Sequence, residues 1–392
     1  MKDFGVSVYP DLESAEEIHN YLELVSRYGC KWVFSSMFSV EGTNEEILDY
    51  FRKLNADVHS FGMKIVLDVN VVFLKKLGVD CNDVSLFHEI GCDVMRMDGS
   101  YGAEGDLKLV QNPYGIMVML NASSGAGKEL DSFVKHNVPK DRVLLGHNFY
   151  PQPLTGLKWQ HFLDTNKFLA PFGYPIQAFI SSNNPDAGGV WDAAYGLPTV
   201  ECLRKLPIDL QARILQASGN VDMLWIGNAF ATEEELKSLQ AALAAPRDVT
   251  KSPLAEAFRS YGLTMNQSTE DRKLKVIPEK DITEQEYYNL FDLYPQMDAG
   301  DSSEWIWRSR AGRLMHPSIP ARVCDKKEFE VGDVLIVNNN YRHYAGEISV
   351  VRIPFENDGL RNLAGHLAPG EEKLLALIGD GDEVTFLDKT KE

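Results

Sequence analysis

Three carboxylates sit where a catalytic pair could be drawn from them. Asp98 ends the run Val94-Met-Arg-Met-Asp98-Gly-Ser-Tyr-Gly102, Asp68 sits within Val66-Leu-Asp-Val-Asn70, and Glu201 closes Gly196-Leu-Pro-Thr-Val-Glu201. A carboxylate directly after a short apolar run, with glycine following, stands where a substrate can approach. Two such groups, one as acid and one as base or nucleophile, are what cleavage of a glycosidic bond requires. The acid must keep its proton near neutral pH, which takes burial or a neighbouring negative charge. Each residue also has a structural role open to it. Asp98 can cap a helix or pair with Arg96, Asp68 can orient a neighbour, and Glu201 can support a cap at Thr199.

Neutral hydrogen-bonding groups recur at similar positions: Tyr9, Ser35, Ser36, Asn121, His147, Asn148, Tyr150, Ser181, Ser182 and Asn228, with Asp192 as a further acid. Such a crown suits a carbohydrate, whose hydroxyls are read by amides and hydroxyls. The stretch 142–157 shows the pattern best: Val143, Leu144 and Leu145 give way to Gly-His-Asn-Phe-Tyr, and Pro151 and Pro153 forbid further pairing. Thr155 can cap a helix starting near Leu157. A metal could in principle be held by Asp68, Asp98, His147 and Glu201, but no H-x-H or H-E-x-x-H spacing supports one. No metal and no cofactor is expected. There is no G-x-S-x-G elbow for a serine nucleophile. The run Asn121-Ala-Ser-Ser-Gly-Ala-Gly127 reads as a turn whose amides could meet an anion. Farther on, Arg308 and Arg310, with Arg313, Arg342 and His343 nearby, could bind a phosphate or carboxylate; the plain alternative is solvated surface charge.

The elements that must position these groups follow from hydrophobic periodicity. Eight β-rich runs are predicted at 4–9, 32–37, 64–69, 93–97, 117–121, 142–146, 176–181 and 223–227. Helical patterns lie between most of them, at 12–28, 45–59, 155–169, 208–217 and 232–244. Thr43 with Glu46, and Thr232 with Glu235, have capping-box spacing. Alternating strands and helices imply a parallel sheet, and eight units in this length fit an α/β (β/α)8 TIM-like barrel. An open doubly wound sheet is the competitor, but no G-x-G-x-x-G follows the first strand. After residue 245 the apolar helical faces mostly stop. Short runs at 305–308, 334–337, 346–353, 374–377 and 383–387, separated by Gly/Asn/Asp/Pro turns, predict a smaller β-rich domain. The organisation predicted is a barrel over 1–246, a linker over 247–273 that runs on as a polar loop to 275, and a β-rich domain over 274–392.

A formal charge of −18 over 392 residues argues against a nucleic-acid or anionic-membrane partner, both of which need a basic face. It leaves room for an anionic small molecule met by a local cluster of arginines. Five cysteines without a C-x-x-C pair fit free thiols in a reducing compartment. The N-terminal residues lack the apolar stretch of a signal peptide, and no apolar run is long enough to span a bilayer. A cytoplasmic location is therefore expected. The oligomeric state stays open, a homodimer included.

The chain as a whole resembles the MupG-type 6-phospho-N-acetylmuramidase family. The resemblance rests on Gly5-Val-Ser-Val-Tyr9-Pro, Met95-Arg-Met-Asp98-Gly and Leu120-Asn121-Ala-Ser. It rests most on His147-Asn-Phe-Tyr150-Pro followed by Thr155-Gly-Leu, and on Gly196-Leu-Pro-Thr-Val-Glu201. Trp307-Arg-Ser-Arg310, Tyr344-Ala-Gly-Glu347 and Arg361-Asn-Leu-Ala-Gly365 add to it. It implies a TIM-like barrel followed by a cyclophilin-like β domain. It implies an intracellular glycosidase that splits 6-phospho-N-acetylmuramic acid from a β-1,4-linked N-acetylglucosamine during cell-wall recycling. On this reading two of Asp98, Glu201 and Asp68 do the acid–base work. Tyr9, Asn121, His147, Asn148 and Tyr150 hold the sugar, while Arg308 and Arg310 take the phosphate. The chain departs from the family pattern at Asn228, where Asp is common, and at Asp68-Val-Asn-Val71, where Asp-Val-Ser-Pro is common. These departures keep open a different phospho-glycoside, and a phospho-sugar-binding or regulatory protein without activity. A metal-dependent barrel hydrolase is a third alternative.

Overall fold

The structure, a computed structural model, describes residues 3–391 apart from 10, 11, 38, 39, 190–192, 261, 268 and 269. It divides into two compact units, Met1–Leu243 and Ala244–Glu392.

The first unit is a closed barrel of eight parallel strands in sequence order, the last pairing with the first. The strands are β1 (Asp3–Ser7), β2 (Trp32–Ser36), β3 (Lys64–Val69), β4 (Val94–Met97), β5 (Met117–Asn121), β6 (Val143–Gly146), β7 (Ile176–Ile180) and β8 (Met223–Ile226). All eight predicted runs are therefore strands, and the open sheet is excluded by closure. Alternation explains the packing. Trp32, Phe34, Val66, Val94, Met119, Leu144, Phe179, Met223 and Trp225 share one parity and fill the barrel interior as one cluster. The other parity (Phe4, Val6, Val33, Ile65, Leu67, Val118, Leu145, Ile180 and Leu224) is equally buried. Strands buried on both faces read as continuous apolar runs, which is why they stand out in the sequence. Gly146 belongs to the interior parity, and a Cβ there would strike the Met119 sulfur.

Both predicted capping boxes form: Thr43 with Glu46, and Thr232 with Glu235 through bonds of 3.0 and 3.2 Å. Thr155 does not cap a helix. Its hydroxyl donates to the Gln152 carbonyl at 2.6 Å, and the helix starts later, as Trp159–Leu169.

The second unit is mostly sheet and nearly closes as a barrel. Its strands are β9 (Arg272–Pro278), β10 (Gln296–Met297), β11 (Ile306–Ser309), β12 (Glu328–Phe329), β13 (Asp333–Val337), β14 (Ile348–Val351), β15 (Phe355–Glu356), β16 (Arg361–Leu367) and β17 (Glu383–Asp388). Seven of them form one sheet in the order β10-β17-β9-β16-β13-β14-β11. The Met297 amide donates to the Ser309 hydroxyl at 3.3 Å, drawing the two edge strands together. Three stretches depart here from the sequence expectations. Residues 374–377 belong to no strand, because Glu371–Leu375 is a helix with acids in its first turn and Leu374 and Leu375 buried. In the polar stretch read as a loop to 275, β9 already begins at Arg272. Pro253–Ser260, within the predicted linker, is helical.

Candidate active site

Interior parity decides which residues reach the barrel mouth. On β3 it runs from Val66 to Asp68, and on β4 from Val94 through Arg96 to Asp98, where the Asp98 amide continues the ladder onto the Val69 carbonyl at 2.9 Å. On β5 it reaches Asn121. On β6 it runs through Gly146 to Asn148, because the His147 amide still bonds to the Gln177 carbonyl at 3.0 Å. Asp68 and Arg96 are register partners. Consecutive strands thus carry acid, arginine with acid, amide and amide.

Arg96 is the hub of this set. Its guanidinium is buried, with 5% of the side chain exposed, and one terminal nitrogen makes a short ion pair with Asp68. The same nitrogen lies 3.6 Å from Asp98, whose side chain is 42% exposed. The other terminal nitrogen donates to the Asn148 side-chain oxygen. Its Nε is buried with no protein partner. Burial pushes the Asp68 carboxyl up to about 6 in spite of the Arg96 charge beside it. The result is one buried acid with a raised proton affinity and one solvent-facing carboxylate, joined through a guanidinium.

His147 has the opposite parity and lies wholly buried behind the barrel wall. Its Nε2 donates to the Asn166 side-chain oxygen at 2.7 Å, and its ring packs on Phe162 at 4.9 Å. Its Nδ1, 3.1 Å from the Ser123 hydroxyl, accepts that proton; the Ser123 oxygen accepts the Asn148 amide at 3.0 Å. Burial pulls the His147 pKa down to about 4, so the ring is neutral and its tautomer is set by Asn166. His147 does not face the mouth; it holds Ser123, which holds Asn148.

Glu201 is fully engaged. Its two oxygens accept the Leu154 and Gly156 amides at 2.9 and 2.8 Å and a two-pronged contact from Arg204, both bonds 2.7 Å. Those Arg204 bonds hold its carboxyl down at about 2. Arg204 also donates to the Tyr150 and Gly196 carbonyls. The pair clamps the proline-rich segment after β6 against the segment after β7.

Of the remaining candidates, Tyr9 is buried, with its hydroxyl on the Gly227 carbonyl at 2.5 Å. Tyr150 is half-buried, its amide on the Pro198 carbonyl at 3.1 Å. Asn121 accepts the Ser123 amide at 3.0 Å and lines a cleft of about 70 Å³ with Asp98, Ser100, Asp106 and Glu129. Ser181 and Ser182 bond to the Leu197 amide and to Glu235. Ser35 is fully buried. Asn228 is buried and bonds the Ser182 amide and carbonyl at 2.9 and 3.0 Å. A carboxylate could not donate the second of these bonds, so Asn at this position is a structural clip. Asp192 lies outside the described residues. Arg308 and Arg310 belong to the second unit, where both pair with Asp301. Among the described residues no group of three or more His, Cys, Asp or Glu side chains is placed to hold a metal ion.

Two residues escape a reading by strand ends. Arg96 lies inside a strand, where the sequence marks it only as a counter-ion for Asp98. Glu13, in the segment after β1, accepts the Tyr9 amide at 3.1 Å and is pushed up to about 7 by burial. Nothing in its sequence surroundings signals this.

A closed parallel barrel whose mouth carries paired carboxylates defines an α/β-barrel enzyme. A family model described as 6-phospho-N-acetylmuramidase, N-terminal, matches residues 4–241, and its C-terminal counterpart matches residues 272–387. The chain belongs to the 6-phospho-N-acetylmuramidase family, a family of glycosidases. It is similar over 99% of both chains to the crystal structure of an uncharacterized Bacillus cereus protein, with 28% identity and a TM-score of 0.81. It shares its fold with a conserved Enterococcus faecalis protein of unknown function, at 22% identity and a TM-score of 0.68, over 99% of this chain and 96% of that one. No curated protein matches the chain. Among the described residues no helix is long and apolar enough to cross a membrane.

Proposed function

We propose that this chain hydrolyses the β-1,4 bond between 6-phospho-N-acetylmuramic acid and N-acetylglucosamine, as a cytoplasmic step of cell-wall sugar recycling. The observation that carries the mechanism is the Asp68–Arg96–Asp98 arrangement. Asp68, pushed up to about 6 by burial, is the proton donor to the leaving oxygen. Asp98, open to solvent, is the base or nucleophile on the opposite side of the sugar. Arg96 keeps both oriented and Asn148 fixed. Asn121 and Asn148 supply hydrogen bonds to sugar hydroxyls. Glu201 is left out of the pair because all of its bonding positions are occupied.

Activity on the phosphorylated disaccharide and on its unphosphorylated counterpart is the first test. Turnover confined to the phosphorylated compound is expected; equal turnover of both, or none of either, overturns the reading. Asp98→Asn should lower kcat by about 10³-fold or more, and a variant near wild type removes Asp98 from the mechanism. Because Asp68 must carry its proton, kcat/KM should fall as pH rises through about 6.

A further inference from the structure

Within the second unit, Arg308 on β11 and Arg310 just after it share one parity, opposite the buried Trp307 and Ser309, and meet Arg313 around two carboxylates. Glu347, buried, takes Arg313 at 2.9 Å and has Arg308 at 3.8 Å. Asp301, half exposed, takes Arg308 at 3.0 Å and also pairs with Arg310. Beside them Arg313 lies 5.2 Å from the centre of the Tyr344 ring, on which the exposed Tyr341 stacks at 4.7 Å. The two carboxylates differ in kind. Glu347 is part of the wall and aligns two guanidinium groups. Asp301 comes from a loop and sits on their outer side, where an incoming anion would sit.

We propose that Arg308, Arg310 and Arg313 form a phosphate-monoester site, and that Asp301 occupies it until the phosphate displaces it. Charge supports this. Three guanidinium groups against Glu347 alone leave an excess of two positive charges, matching a phosphate monoester of charge near −2 at pH 7. Guanidinium forks bind phosphate oxygens in pairs, and a tyrosine face beside them suits the body of a phosphorylated sugar. That the phosphate arrives on a sugar rests on the function proposed above; the anion site itself does not.

Calorimetry on the full chain tests it, with inorganic phosphate, N-acetylglucosamine 6-phosphate and N-acetylglucosamine as probes. Both phosphate compounds should bind and the plain sugar should not. Arg308→Ala and Arg310→Ala should weaken binding at least tenfold, and Asp301→Asn, which removes the competing anion, should tighten it at least threefold. No binding of either phosphate by wild type, unchanged binding by both arginine variants, or unchanged or weaker binding by Asp301→Asn overturns the proposal. Binding that follows this pattern without any disaccharide turnover sustains the site and sinks the hydrolase reading. Phosphate-selective turnover by a wild type whose phosphate binding is unchanged in both arginine variants does the reverse.

Discussion

Arg96 shows how one residue sets the chemistry of two others. Its buried charge opposes the desolvation that raises the Asp68 carboxyl, so the value near 6 is a balance between the two. Removing the charge should tip that balance. In Arg96→Met the alkaline limb of the kcat/KM profile should move to higher pH, because Asp68 would lose the neighbour that favours its ionised form. Arg96→Lys should keep that limb nearer wild type yet lose about 10²-fold in kcat, since an ammonium cannot hold Asp68 and Asn148 together as a planar fork does. A pH–rate profile of both variants decides it, and an unmoved limb in Arg96→Met removes Asp68 from the donor role. The sequence made Asp68 and Asp98 visible by type and position. Arg96 was visible only as a counter-ion for Asp98, because its link to Asp68 is a contact between neighbouring strands.

At the scale of elements, the stretch after β6 was legible as a special place but not in its detail. His147 and Asn148 are adjacent in the chain, yet the ladder continues past Gly146 and turns them to opposite faces. A period of two separates the wall residue from the mouth residue, and reading the stretch as one unit merges them. Glu201 carries the same lesson, since the two amides it accepts, those of Leu154 and Gly156, come from the loop after β6. Its carboxyl is held at about 2, below the ordinary glutamate value. A depressed folded value contributes stability that is present above the unfolded pKa and lost as pH falls from about 4.5 towards 2. Glu201→Gln should therefore cost roughly 1 kcal/mol at pH 7, discounted because water reaches the pair, and the difference should shrink at low pH. It should raise KM more than it lowers kcat, as a loosened loop misplaces substrate without removing a reacting group. A kcat loss comparable with that of Asp98→Asn would return Glu201 to the catalytic pair.

At the scale of the molecule, the barrel was legible because doubly buried strands cannot avoid being apolar. The second unit was less so: β9 alternates lysine with leucine and valine, and β16 buries Asn362, so neither looks like core. The barrel's buried ionisable groups then set how its stability responds to pH. Asp68 and Glu13 are raised to about 6 and about 7, so each contributes stability below its unfolded value that is lost as pH rises through the folded one. His147 is lowered to about 4, so its contribution is present above its unfolded value near 6.5 and is lost as pH falls. Between about 4.5 and 6 the two carboxyls act together against His147, and of the three only Glu13 is still titrating from 6.5 to 7. Glu13→Gln isolates that term, because glutamine keeps an oxygen for the Tyr9 amide but takes no proton. Relative to wild type, its unfolding free energy should rise with pH from 4.5 to 7 by about 2 kcal/mol and then stay level. Denaturant titrations of both proteins at pH 4.5, 6 and 8 measure it. A difference that is the same at all three values would show that Glu13 ionises as freely in the folded barrel as in the unfolded chain.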